Sequence, residues 1–134
     1  MRLTVHVDGG SRGNPGPAAI AAVVSDRDGE IVDRAKQVIG RATNNVAEYR
    51  ALLLGIERAL EHGASELDLV GDSELVVKQV RGEYRVKDEG LKPLHAQVRA
   101  ALAPVGEWSI RHVRREQNAE ADRLVNEALD SASY

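Results

Sequence analysis

The order in which the apolar residues change their spacing constrains this chain more than any other feature. Leu3, Val5 and Val7 alternate with Thr4, His6 and Asp8 over Arg2 to Asp8, the period of a half-buried strand that stops at Gly9. Two further apolar runs, Ala18 to Val24 and Glu30 to Ile39, flank Asp26 to Gly29, where Asp28 and Gly29 suit the positive φ of a tight hairpin turn. Sequential antiparallel strands are therefore expected before any helix. The spacing then turns helical. Asn44 or Asn45 can cap a helix to about His62, with Tyr49, Leu52, Leu53, Ile56 and Leu60 on one face and Gly63 as its stop. A strand from Glu66 to Gly71 follows, then a short helix capped by Ser73 and ending near Gly82. Leu91, Leu94, Val98, Ala101 and Leu102 outline another helix before Pro104, and a strand runs from Glu107 to Val113. Asn118 caps a last helix to about Leu129, ahead of a polar tail. The order βββαβααβα predicts an α/β fold, one mixed sheet with helices packed on it, in a single domain over residues 1–134 with a disordered tail from about 130.

Composition narrows the chemistry. The 134 residues include no Cys, so disulfides and thiolate metal sites are excluded, and any metal must be held by oxygen or by the four His. His6, His62 and His95 show no ligand-like spacing and read as structural or surface residues, and Trp108, alternating with Ile110, reads as core. The opening MRLTVHVDGG lacks a secretory h-region and no apolar run is long enough to span a bilayer, so a cytoplasmic protein without membrane contact is expected. A monomer is expected as well. The net charge of -3 sits oddly with a nucleic-acid binder, unless some acids hold divalent cations that invert the local field. Lys78, Arg81, Arg85, Lys87 and Lys92 alternate with Glu83, Asp88 and Glu89, which is the pattern of a solvated face.

The acids that stand out lie where a stable fold would not choose them. Asp8 ends the first strand and Asp72 follows the fourth; if those strands are parallel neighbours, both acids emerge at the crevice where chain order reverses. Glu48 lies one turn before Leu52, and Asp122 shares a face with Val125 and Leu129, so both flank apolar stripes. Converging carboxylates would raise one another's pKa, and cations would relieve the repulsion. An all-oxygen set suits Mg²⁺, with Mn²⁺ as the alternative. Two such ions about 4 Å apart can activate a water and stabilise the leaving oxygen of a phosphoryl displacement. DGGSRGNPGP can bring backbone close to a sugar-phosphate chain, with Ser11 and Asn14 as hydrogen-bond donors. Each motif alone has a plain structural reading as a turn or a capped helix; their joint order does not.

Taken together, DGGSRGNPGP, TNNVAEYRALLLGI, GDSELVVKQV and HVRREQNAEADRLVNEAL resemble the ribonuclease H type 1 family over nearly the whole chain. The resemblance implies the ribonuclease H-like fold, a five-stranded mixed sheet of order 3-2-1-4-5 flanked by helices, and a metal site of Asp8, Glu48, Asp72 and Asp122. It implies hydrolysis of the RNA strand of an RNA/DNA hybrid, leaving 5′-phosphate and 3′-hydroxyl ends. Asn14, Thr43, Asn44, Asn45 and Ser73 would line the hybrid groove, Thr43 and Asn14 near a DNA-strand phosphate, while backbone at Gly9 and Gly10, with Glu48, would meet 2′-hydroxyls. Ser11 and Asn118 are placed with these nucleic-acid contacts.

Two departures from the family pattern bear on mechanism. Many relatives carry a His in a loop before the last acid; here only Arg114, Arg115, Glu116 and Gln117 separate the final strand from Asn118, His112 falls within that strand, and Glu116 is the local candidate. The stretch from Gly82 to Leu91 is too short for the extra basic helix that some relatives use to hold the hybrid, so weaker affinity is expected. Domains similar to this one occur fused to other enzymes, so one domain of a larger fused protein is the alternative to a free-standing chain. A hybrid-binding module without cleavage would do better with fewer acids facing phosphate. A DEDD exonuclease would carry an acid where Gly10 stands. A purely structural domain leaves the inward Glu48 and Asp122 without a role.

Overall fold

The computed structural model describes residues 1–132, arranged as one mixed sheet between helices on its two faces. The strands are β1 (Arg2–Ser11), β2 (Gly16–Ser25), β3 (Ile31–Ala42), β4 (Glu66–Gly71) and β5 (Glu107–His112). The helices are α1 (Asn44–Glu61), α2 (Glu74–Arg81), α3 (Lys92–Leu102) and α4 (Ala119–Ser131), with a 3₁₀ turn over Arg115–Asn118 before α4. The sheet order is β3-β2-β1-β4-β5, as the resemblance implied, with β1, β2 and β3 antiparallel and β4 and β5 parallel to β1.

The alternation along β2 explains the layering. Ala18, Ile20, Ala22 and Val24 join Leu3, Val5 and Val7 of β1 beneath α1, α2 and α3, whereas Ala19, Ala21 and Val23 pack against Ala121, Leu124, Val125, Ala128 and Leu129 of α4. A strand covered on both sides must be apolar throughout, which is why this stretch reads as a continuous run. The face α1 turns to the sheet is built from small residues as well as large ones: Ala47, Ala51, Gly55 and Ala59 are buried beside Tyr49, Leu52 and Ile56. A Cβ on Gly55 would lie 2.6 Å from Val5 Cγ1 and 2.8 Å from Val7 Cγ1, so the missing side chain sets how closely α1 approaches β1.

Several expectations are corrected. The first strand does not stop at Gly9: it pairs with β2 through Gly9↔Ile20, Gly10↔Ala19 and Ser11↔Ala18, although its pairing with β4 ends at His6↔Val70. In the turn between β2 and β3 only Gly29 takes positive φ; Asp28 does not, and Asp26 Oδ1 shapes the turn by accepting from the Asp28 and Glu30 N–H groups, both at 2.9 Å. Leu60 is 38% exposed, since the stripe facing the sheet is carried by the small residues instead. Trp108 packs against the core as expected but is only half-buried, with the Arg99 guanidinium 5.7 Å above its ring. Helix α4 runs past the point where a disordered tail was expected, with Asp130 held by Arg12; residues 133 and 134 lie outside the described part. Lys78 and Lys92 pair with Glu74 and Glu89 at 2.8 and 2.7 Å, as a solvated face implies. Among the described residues no helix is long and apolar enough to cross a membrane.

Candidate active site

The acids meet because the sheet places two of them in step. Asp8 stands two residues beyond His6, and Asp72 two beyond Val70, the last paired positions of parallel neighbours β1 and β4. Past that point β1 has lost its partner on the β4 side and the crevice opens, at the place where strand order reverses. Glu48 comes from the first turns of α1 and reaches the same point because β1 and α1 nearly touch there. A Cβ on Gly9 would lie 2.3 Å from the Ala47 carbonyl carbon and oxygen. With only hydrogen at that position, the Gly9 N–H donates to Glu48 Oε1 at 3.2 Å. The close approach expected of this glycine is thus made to the protein's own helix, and its N–H is already engaged.

Asp8, Glu48 and Asp72 each offer a carboxylate oxygen within 4.8 Å of the others. Asp122 joins them on the wall of a cleft of about 380 Å³, together with Gly9, Gly10, Ser11, Asn44, Asn45 and Ser73. Asp8 and Glu48 are each only 6% exposed. Burial pushes the Asp8 carboxyl up to about 7, with the Asp72 charge adding to it. Burial, then the charges of Asp8 and Asp72, holds Glu48 well above the ordinary carboxylate range. Asp72 is raised by burial against the opposing influence of Asn118, Arg115 and His112. Its Oδ2 is buried without a hydrogen-bond partner. A carboxylate oxygen left so is costly unless something else satisfies it. Hard oxygen donors in a tight cluster, one of them unsatisfied, fit a small divalent cation.

The remaining predicted residues divide by what their side chains already hold. Thr43, and not Asn44 or Asn45, caps α1, its Oγ1 accepting from the Val46 N–H at 3.2 Å. Asn44 is used across the cleft instead: its Oδ1 accepts from the Ser11 N–H and hydroxyl at 2.9 and 3.1 Å, and its own N–H donates to Asn14 Oδ1 at 3.0 Å. These bonds tie the Ser11–Asn14 segment to the start of α1. Asn14 and Thr43 lie outside the acid cleft, in a neighbouring depression of about 320 Å³ that shares Asn45 with it. Ser73 caps α2 as expected, accepting from the Val76 N–H at 3.3 Å. Asn118 stands at the N-cap position of α4, as expected, but its side chain makes no capping bond. It is 1% exposed, and its Nδ2 donates to the Val7 carbonyl at 2.8 Å, which joins the start of α4 to β1 directly behind Asp8.

Arg12, Arg115 and Asn126 also line the cleft, and none was singled out from the sequence, since an exposed polar residue leaves no periodic trace. Glu116 does not line it. His112 is exposed at the end of β5, opposite Gly71, and its charge acts on Asp72. Like Glu116, it is not among the residues that line the cleft.

Comparison with known proteins agrees with this geometry. A family described as "Reverse transcriptase-like" matches residues 6–128. The chain is 47% identical over 131 residues to ribonuclease HI of Halobacterium salinarum, covering 98% of this chain and 66% of that protein. The crystal structure of RNase H1 from the same archaeon superposes with a TM-score of 0.96 at 46% identity, covering 98% of this chain and 100% of the other. This chain belongs to the ribonuclease H type 1 family. Its fold is that of a ribonuclease H domain, and the α/β sheet order expected from the resemblance holds. A second solved structure, LC11-RNase H1 in complex with an RNA/DNA hybrid, matches with a TM-score of 0.91 at 41% identity and covers 96% of each chain. The chain is also 45% identical to the bifunctional protein Rv2228c of Mycobacterium tuberculosis over 99% of its own length but only 37% of that protein.

Proposed function

We propose that this ribonuclease H domain is an endonuclease that hydrolyses the RNA strand of RNA/DNA hybrids, with divalent cations held by Asp8, Glu48, Asp72 and Asp122. The observation that carries the reading is the cluster of three carboxylates within 4.8 Å, two of them buried and the third, Asp72, half-buried with one oxygen that has no partner. Mg²⁺ is the proposed cofactor, as two ions with substrate, and Mn²⁺ its substitute; when bound they supply Lewis-acid activation of water and charge neutralisation at the leaving oxygen. The protein's own residues do the rest. Asp8, Glu48 and Asp72 are held at fixed separation by β1, α1 and β4, so little reorganisation is needed on binding. Gly10, Ser11, Asn44, Asn45 and Ser73 line the same cleft and are proposed to contact the hybrid, with Asn14 and Thr43 on the second strand's backbone. The Gly9 N–H, engaged by Glu48, orients that carboxylate, and buried Asn118 positions the start of α4.

The products proposed are 5′-phosphate and 3′-hydroxyl ends, made by a cytoplasmic monomer or by this domain within a fused protein. End-blocked, labelled RNA/DNA hybrid, duplex RNA and duplex DNA incubated with Mg²⁺ or Mn²⁺ test the reading. Internal cuts confined to the RNA strand of the hybrid are expected, with a loss of about a hundredfold or more in Asp72→Asn. Cutting that survives this change, or activity only from free ends, would overturn it.

A further inference from the structure

Positive charge on the cleft wall is restrained in a way that the catalytic reading does not use. Arg12, between β1 and β2, lines the cleft beside the acids, and its Nη2 donates to Asp130 Oδ1 at 2.6 Å. Both side chains are open to solvent, 49% and 67% exposed. Asp130 sits in the last turn of α4, which holds no basic residue. The partial negative charge of a helix C-terminus disfavours a carboxylate there, so Asp130 gains nothing from its own helix. Its contact is with Arg12. Exposed pairs of this kind stabilise a fold little and exchange partners readily. A phosphodiester is the better partner for a guanidinium, because it accepts two parallel N–H···O bonds.

We infer that Arg12 is a positioning residue for the nucleic-acid backbone: it binds a phosphate of the strand lying in the cleft, and Asp130 holds it at the rim until that phosphate displaces the carboxylate. The inference rests on the part of the proposed function that lays the hybrid in this cleft, and adds a binding group to it. It also bears on the charge problem. A chain of net charge -3 must present cations locally to a polyanion, and Arg12 does so on the wall of the acid cleft itself.

Steady-state cutting of the end-blocked hybrid in Mg²⁺ tests this, together with hybrid binding by fluorescence anisotropy across a salt series in an Asp72→Asn background. Arg12→Ala should raise KM and Kd about three- to tenfold with kcat within about twofold. The plot of log affinity against log salt should become shallower by about one. Arg12→Lys should recover part of the loss. Asp130→Asn should lower KM, and should have no effect when Arg12 is already Ala, since it acts through that side chain. Arg27→Ala, in the β2–β3 turn, removes one positive charge elsewhere and should match the wild type. Arg12→Ala behaving like Arg27→Ala overturns the inference, as does Asp130→Asn raising KM, which would make the pair a structural tie. Asp130→Asn lowering KM without Arg12 would show general repulsion and remove the restraining role. Wild-type protein that binds hybrid with an Arg12-dependent salt slope but never cuts it would overturn the nuclease reading and leave this inference standing.

Discussion

Single residues carry the geometry on which the chemistry depends, and Gly9 is the sharpest case. A methyl group there would collide with the Ala47 carbonyl, push β1 from α1 and break the N–H bond to Glu48. Gly9→Ala should therefore cost about 2–4 kcal/mol of stability by denaturant unfolding, and activity should fall by more than the loss of folded protein explains. Asp68 gives a titratable test. Arg2, bonded to it at 2.9 and 2.7 Å, holds its carboxyl below the ordinary 3.8, with Ser109 assisting. A depressed carboxylate contributes stability above its unfolded pKa and loses it as pH falls through the folded value. Acid unfolding curves of wild type and Asp68→Asn should therefore stand fully apart above about pH 4 and converge only as pH falls through the folded value, which lies below 3.8. The acids were legible in the sequence because carboxylates at strand ends and beside apolar stripes break local rules. The uses of Asn44 and Asn118 were not, because their partners, Ser11 and Val7, are remote in sequence and a capping pattern explains each asparagine as well.

Among the elements, β1 and α1 form the frame and the rest brace it. Alternation marked β1, a continuous apolar run marked β2, which is covered on both faces, and helical spacing marked α1 and α3, while α2 was marked by its Ser73 cap and Gly82 stop. What the pattern missed follows from pairing on two sides. β1 continues to Ser11 because β2 accompanies it after β4 has ended, and an isolated strand pattern cannot distinguish losing one neighbour from losing both. The contact between β1 and α1 depends on Gly55, whose Cβ would meet both Val5 and Val7. Gly55→Ala should destabilise by about 1–3 kcal/mol despite the better helix propensity of alanine, measured by urea unfolding. A neutral or stabilising result would mean that α1 can lift from the sheet at little cost.

At the scale of the whole molecule, the fold spends stability on a cluster of acids that like charge and burial both oppose. With chelator present, the folded protein keeps on Asp8 a proton that the unfolded chain has released between 3.8 and about 7. Stability from this group should therefore fall as pH rises through that window, opposite in sign to Asp68. Saturating Mg²⁺ should reverse the fall, so its effect on the urea midpoint should be larger at about pH 7.5 than at about pH 5. The proposed chemistry requires cations in the space between the acids. Crystals soaked in Mn²⁺ and measured at the manganese edge test that most directly: the account predicts an anomalous peak ligated by Asp8, Glu48 and Asp72, absent from Asp72→Asn crystals. A cluster that stays empty at saturating Mn²⁺, while wild-type protein in the same metal cuts the hybrid, would contradict it.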